Sequence, residues 1–138
     1  GGRVIVQTYW PDHPAVRALA ARDSRLLYTP ERADREALRF PPFARLVNIL
    51  VHGSDAAAVR TVAEDSAAVI RDGCPENWDV VGPSAAPISR IKDRWRWHLL
   101  VKAPTGATVG PQIARLLEDS HVPAGVTRII DVDPVGML

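Results

Sequence analysis

The chain has 138 residues, enough for one domain with an appendage, and its 46% hydrophobic and 24% charged residues are ordinary for a globular protein. The formal net charge is +1, so any attraction to nucleic acid must come from local clusters of cations. A single cysteine, Cys74, excludes an internal disulfide and a cysteine-based zinc site, and no apolar run is long enough to span a membrane.

The first segment, RVIVQT at 3–8, holds the contiguous apolar residues Val4, Ile5 and Val6, which is typical of a short buried strand. Tyr9 and Trp10 follow it directly. A lone strand needs partners, and exposed aromatic side chains beside it would indicate contact with another domain. We therefore take Tyr9 and Trp10 as candidate partner-binding residues.

Two helices are predicted next. Asp12 is a candidate cap, and Pro14 fits the first position of a helix that ends at about Asp23. Thr29 is likewise a candidate cap with Pro30 at the first helical position, and early acidic residues favour a second helix over 30–39. The proline pair in PPF at 41–43 then ends that helix.

From residue 44 the hydrophobic periodicity predicts six elements. They are strands over 44–52, 78–82, 94–102 and 126–134, a helix from a Ser54 or Asp55 cap to about Arg71, and a helix from Thr108 through Leu117. The order βαββαβ is the split βαβ, or ferredoxin-like, pattern. The predicted fold is therefore α+β, with both helices on one face of a four-stranded antiparallel sheet.

The segment RIKDRWRWHLLVK at 90–102 alternates with a period of two, which places Trp95 and Trp97 on the face under the helices. It carries five cations and one acid, whereas residues 53–79 carry six acids and two Arg. The candidate DNA-binding residues are Arg90, Lys92, Arg94, Arg96, His98 and Lys102. Binding would be led by phosphate contacts and sensitive to salt. A merely solvated sheet face is the alternative, because an open face must be polar.

Residues suited to catalysis are few. Asp131 and Asp133 share one face of the last predicted strand and could bind a metal, but a charge pair with the neighbouring cations is favoured. Cys74 lies at a helix end, where a structural role is favoured over a reactive one. No glycine-rich phosphate loop is present. A small independent enzyme is therefore the least favoured class, and we predict neither a catalytic nor a metal site.

Four phrases in this order carry a resemblance to a known family: VIVQTYWPDHPAV at 4–16, LRFPPFARLVNILV at 38–51, VVGPSAAPISRIKDRWRWHLLVKAP at 80–104, and IIDVDPVGML at 129–138. Together they resemble the carboxy-terminal part of the PriA replication-restart helicases, also called primosomal protein N-prime. The resemblance implies that residues 1–40 are the tail of the second RecA-like helicase lobe, with a last strand and connecting helices. Residues 41–138 would be the ferredoxin-like C-terminal domain.

The family resemblance also implies a function. Such a domain binds DNA at stalled forks and contacts primosome proteins, single-stranded DNA-binding protein and the rest of the helicase, in the bacterial cytoplasm at the nucleoid. Gln112 and Arg115 loosely match the amide and basic residue that receive the acidic tail of single-stranded DNA-binding protein. The alternative is a docking domain with little DNA contact, which uses Tyr9, Trp10 and Phe40.

The resemblance implies no enzyme activity for this chain alone. The parent resembles an ATP-dependent 3′-to-5′ DNA helicase. Its ATP-binding loop, its acidic Mg²⁺-binding motif and its zinc-binding cysteines would all lie upstream of Gly1. We therefore expect no cofactor in this chain.

Overall fold

The computed structural model describes residues 2–136 and divides the chain into two compact units, residues 1–38 and 39–138. The first unit holds two helices, α1 (Pro14–Ala21) and α2 (Arg25–Ala37). The second unit holds β1 (Arg45–Gly53), α3 (Ala56–Gly73), β2 (Asp79–Ile91), β3 (Arg94–Ala103), α4 (Val109–Leu116) and β4 (Val126–Val132). None of the helices in the described residues combines the length and apolar content that crossing a membrane requires.

The predicted strand at 3–8 is not formed, and that prediction is wrong. These residues belong to neither helix nor strand, and Val4 and Ile5 are 84% and 92% exposed. A strand is stable only when its N–H and C=O groups pair along a neighbouring strand. Apolar content alone does not supply that pairing.

Helix α1 begins at Pro14 as predicted but has a different cap, whereas α2 begins earlier than predicted. The Nδ1 atom of His13, rather than Asp12, accepts the Ala15 N–H at 3.2 Å and caps α1. The α2 helix starts at Arg25, whose N–H donates to the Asp23 carboxylate at 3.0 Å, so that Pro30 lies inside the helix instead of at its start. The carboxylate fixes the start because it satisfies a backbone donor at the helix end.

The second unit confirms the α+β, ferredoxin-like prediction. Its four strands form one sheet in the order β2-β3-β1-β4, and every neighbouring pair is antiparallel. β1 and β3 therefore occupy the centre, while β2 and β4 form the edges. β2 is longer than predicted, because the 78–82 segment and the following PISRIK segment join into one strand with two register shifts against β3.

One face of the sheet packs against both helices. The main core contains Val47 and Ile49 of β1, Leu99 and Val101 of β3, and apolar residues of α3 and α4. A smaller core formed by Val51, Val59, Val62 and Ala63 contacts Trp95 and Trp97. The prediction that the two indoles lie on the helix side of β3 is therefore confirmed, and both indoles are half-buried there.

The other face, called the second face below, carries the alternate residues of the strands. The sequence indicated that this face is open, but the structure shows that part of it is covered. Leu46, Asn48 and Lys102 are 4%, 8% and 8% exposed. The ammonium group of Lys102 lies 4.4 Å from the centre of the Phe40 ring, so the segment before β1 covers this end of the face.

The end of β4 also differs from the prediction. β4 stops at Val132, and Asp133 follows in a left-handed backbone conformation with φ of 52°. Its carboxylate contacts Arg45 at 2.7 Å and accepts the Leu46 N–H at 3.3 Å. Asp133 therefore pairs across the end of β1 and not with the cations of β3, because the left-handed turn takes it off the strand face.

Candidate nucleic-acid interface

A two-residue turn brings the candidate cations together at one end of the sheet. Lys92 and Asp93 connect β2 to β3 with φ angles of 47° and 59°, and positive φ at both positions is the property of a type I′ hairpin turn. Ile91 and Arg94 pair directly across this turn. We call the four cations that surround it the basic hairpin: Arg90, Lys92, Arg94 and Arg96.

The basic hairpin presents cations on both sides of the sheet. Arg90 pairs with Trp95 across the strands, and its guanidinium lies 5.2 Å from the centre of that ring on the helix side. The same guanidinium donates to the Asp93 carboxylate at 2.8 Å. Arg60 of α3 lies 5.7 Å from the Trp97 ring, which extends the line of cations over the indoles.

On the second face, Arg94 and Arg96 are held by neutral acceptors. The Nε–H of Arg94 donates to Nδ1 of His52 at 3.0 Å, and Nη1 of Arg96 donates to the Ile88 carbonyl at 3.3 Å. Burial, then Arg94 and then Arg96 lower the pKa of His52, which keeps its imidazole neutral and able to accept. Both guanidinium groups therefore retain their full positive charge for a phosphate.

The other two predicted DNA-binding residues lie further along β3. His98 is half-buried, and burial followed by Arg96 lowers its pKa, so it is a neutral side chain near neutral pH. Lys102 is buried against Phe40, six residues beyond Arg96, or roughly 20 Å along an extended strand. The structure thus groups four of the six candidates and places Lys102 apart from them.

Between these two ends the second face is mixed. The register forms one row of Val81, Leu100, Asn48 and Asp131 across the four strands and a second row of Ser84, His98, Leu50 and Ile129. Val81 and Ile129 are 44% and 43% exposed. The sequence analysis did not identify His52 as the partner of Arg94. His52 meets Arg94 because the strand register pairs His52 with Arg96, two residues from Arg94. That register is set by tertiary pairing of the strands, so the local sequence does not reveal it.

The candidate partner-binding residues fall into two groups. Gln112 and Arg115 are exposed on α4 and line one groove with Cys74, Trp78 and Leu116. Cys74 caps the C-terminal end of α3, and its thiol lies 3.9 Å from the Arg71 carbonyl. Tyr9 and Trp10 belong to the first unit, where they are 105% and 77% exposed.

In the part of the chain that the structure describes, Asp131 and Asp133 do not come together as a metal site would require. Asp131 pairs with Asn48 in the register of β4 and β1, away from the carboxylate of Asp133, which Arg45 holds. Across residues 2–136, no three His, Cys, Asp or Glu side chains are grouped so that they could hold a metal ion.

The second unit is a ferredoxin-like α+β domain. It carries cations at the β2–β3 turn and a groove beside α4 that is lined by Gln112, Arg115 and Trp78. Sequence comparison gives its family: residues 36–135 match the family described as primosomal protein N C-terminal domain. The chain belongs to this family.

Relatives are similar over almost the whole chain. The replication restart protein PriA of Treponema pallidum is 37% identical over 99% of this chain, and that of Synechocystis is 32% identical over 99%. The Bacillus subtilis protein of the same name is 32% identical over 85% of the chain. The chain spans only 21%, 16% and 14% of the length of these three curated relatives.

Proposed function

We propose that this chain is the C-terminal DNA- and partner-binding module of a replication-restart protein that recognises stalled forks. The observation that carries the DNA-binding part is the basic hairpin, four cations around one tight turn in a chain whose net charge is only +1. Asp93 in the turn forms an ion pair with Arg90. Arg94 and Arg96 instead donate hydrogen bonds to neutral acceptors. A phosphate backbone supplies the anions that two such guanidinium groups lack.

The test is fork-DNA binding by the double variant Arg94→Ala, Arg96→Ala over a salt titration. Each lost phosphate contact makes the slope of log affinity against log salt shallower by about one. We therefore expect the double variant to have a slope shallower by about two and a clearly weaker affinity. The matched control is Arg17→Ala, Arg22→Ala, which removes the same charge from the first unit. An unchanged affinity and slope in the first variant, with its circular dichroism intact, would reject DNA binding by the hairpin.

A protein-docking function is the second candidate, and the groove beside α4 favours it. Gln112 supplies an amide and Arg115 a cation, while Trp78 and Leu116 supply apolar walls. An acidic peptide tail with an apolar residue fits this combination. We propose the acidic tail of single-stranded DNA-binding protein as its ligand, and Tyr9 and Trp10 as contacts to other parts of the parent protein.

A binding assay with that acidic tail peptide tests the groove. Gln112→Ala with Arg115→Ala should weaken binding about tenfold or more, because a charge-assisted hydrogen bond is lost. Gln7→Ala with Arg17→Ala removes the same two residue types from the first unit and should leave binding unchanged. If the chain binds the peptide but not fork DNA, docking is the function.

The parent protein is part of the proposal. The relatives extend well beyond the segment that this chain matches, and we propose that ATP, Mg²⁺ and zinc bind in that remaining part. In that arrangement this module recognises the fork and its partners and does not itself hydrolyse ATP.

A further inference from the structure

A second pocket lies on the helix side of the sheet, outside the proposed interface and the groove. It has a volume of about 510 Å³, within the range of small-molecule sites. One stripe of α3 forms a wall, and the segment between α4 and β4 forms the other. The lining residues are Ala58, Thr61, Val62, Asp65, Ser66, Val69, Ser120, His121, Pro123 and Arg128.

Arg128 projects from β4 into this pocket and is fixed there by hydrogen bonds. Its Nη1 atom donates to the hydroxyls of Ser66 at 3.1 Å and Ser120 at 2.5 Å, and its Nη2 atom donates to the Leu117 carbonyl at 2.8 Å. The Ser66 hydroxyl in turn donates to the Val62 carbonyl within α3, and the Ser120 hydroxyl donates to the Leu117 carbonyl at the end of α4. The guanidinium is thus held rigidly by groups that are themselves fixed.

The fixed guanidinium still has donors and charge to offer. A guanidinium carries five N–H groups, and three are used by these bonds. No carboxylate among the described residues lies within ion-pair distance of Arg128, and burial lowers the pKa of this guanidinium without an acid to oppose the shift. Arg128 is therefore a partly desolvated cation with no carboxylate within ion-pair distance among residues 2–136.

We propose that this pocket binds a small carboxylate that carries an apolar body. The carboxylate would accept the two remaining N–H groups of Arg128, and the body would pack on Val62, Val69 and Pro123. The walls favour a singly charged acid over inorganic phosphate, because apolar walls solvate a dianion poorly and the carboxylate of Asp65 repels it more strongly.

The probe is hexanoate, added to the full chain labelled with ¹⁵N, with binding followed by amide chemical shifts at Ser66, Ser120 and His121. We expect saturable shifts with a dissociation constant of roughly 1 mM, typical of one charge-assisted contact plus a short apolar body. Hexanamide has the same body without the charge, and inorganic phosphate has the charge without the body. Both should bind at least about tenfold more weakly.

Two substitutions that leave Arg128 and its hydrogen bonds in place test the pocket in opposite directions. Thr61→Phe fills the space from the exposed side of α3 and should weaken hexanoate binding by about tenfold or more. Asp65→Asn removes the repelling charge and should strengthen it by about threefold.

Each of these variants has a matched control. Thr127→Phe adds the same ring to the second face of β4, and Asp72→Asn removes the same charge two turns further along α3. Both should bind hexanoate as the unsubstituted chain does. Absence of saturable shifts, equal binding of hexanamide or phosphate, or weakening by the Thr127 control equal to that by Thr61→Phe would each overturn the proposal.

Discussion

Two neutral histidines lie beside the basic hairpin, and its arginines lower the pKa of each in a different combination. Burial is the first cause that lowers the pKa of both His52 and His98. Arg94 and Arg96 act on His52, whereas Arg96 alone among these arginines acts on His98. Since both folded-state pKa values are lowered, acid below the ordinary value of 6.5 protonates the unfolded chain first and destabilises the fold.

The two arginines should therefore separate the two histidines in an NMR titration. Arg94→Ala should raise the pKa of His52 and leave that of His98 unchanged, because only His52 contacts Arg94. Arg96→Ala should raise both values, since it removes a positive charge near both rings. A uniform rise of both pKa values in Arg94→Ala would contradict the selective action of Arg94 on His52.

Asp133 allows a pH test at a single carboxylate. The hydrogen bond from Arg45 holds the pKa of Asp133 below its ordinary value of 3.8, so the stabilisation is complete above that value and is lost as the pH falls through the folded-state pKa. Asp133→Asn tolerates the left-handed backbone and should lower the free energy of unfolding by roughly 0.5 to 1 kcal/mol at pH 7, the scale of an exposed pair.

Urea unfolding measures this difference at pH 7 and again in acid below the folded-state pKa, where it should disappear. Asp131→Asn is the control, because that carboxylate has no ion pair in the described part of the chain. A difference that persists in acid would show that Asp133 acts through its backbone conformation instead of its charge.

At the scale of elements, α3 depends on one cap. The sequence allowed either Ser54 or Asp55, and in the structure Asp55 accepts the N–H groups of Ala57 and Ala58 at 2.8 and 3.1 Å. Asp55→Ala should therefore cost about 1 kcal/mol of unfolding free energy in urea titrations. Ser54→Ala should change it by less than about 0.5 kcal/mol. An equal loss in both variants would mean that the turn, and not the cap, fixes the start of α3.

Elements with a strong periodicity could be predicted from the sequence, and elements that depend on a partner could not. The alternation from Arg94 to Lys102 located β3 and the side on which its indoles lie, because burial on one face imposes a period of two. The same reasoning failed for residues 3–8, where no ladder forms. It also left Lys102 on an open face, because a period assigns a face but does not show that Phe40 covers it.

At the scale of the whole molecule, the order of elements predicted the topology, since a βαββαβ chain with right-handed crossovers has few arrangements. The candidate interface could be predicted only in part. Arg90, Lys92, Arg94 and Arg96 are close in sequence, so one turn brings them together. His52, Arg45 and the Arg128 pocket depend on contacts between residues that are distant in sequence, which one sequence does not reveal.

The division into two units predicts how the chain responds to shortening. Every residue of both hydrophobic cores lies in the second unit, so a version that begins at Arg39 should unfold cooperatively. A version that begins at Phe43 lacks the Phe40 ring over the buried ammonium of Lys102, and it should be about 1 to 2 kcal/mol less stable.

Urea unfolding followed by circular dichroism compares the two shortened versions, and the point substitution Phe40→Leu in the longer one is the matched control. Phe40→Leu keeps an apolar cover over Lys102 but removes the ring. It should account for much of the stability difference between the two versions, because the point variant and the shorter version both lose the attraction of the ammonium to the ring. Equal stability of the two versions would mean that the segment before β1 contributes nothing to the fold. Broad, non-cooperative unfolding of the version that begins at Arg39 would mean that the second unit needs residues 1–38.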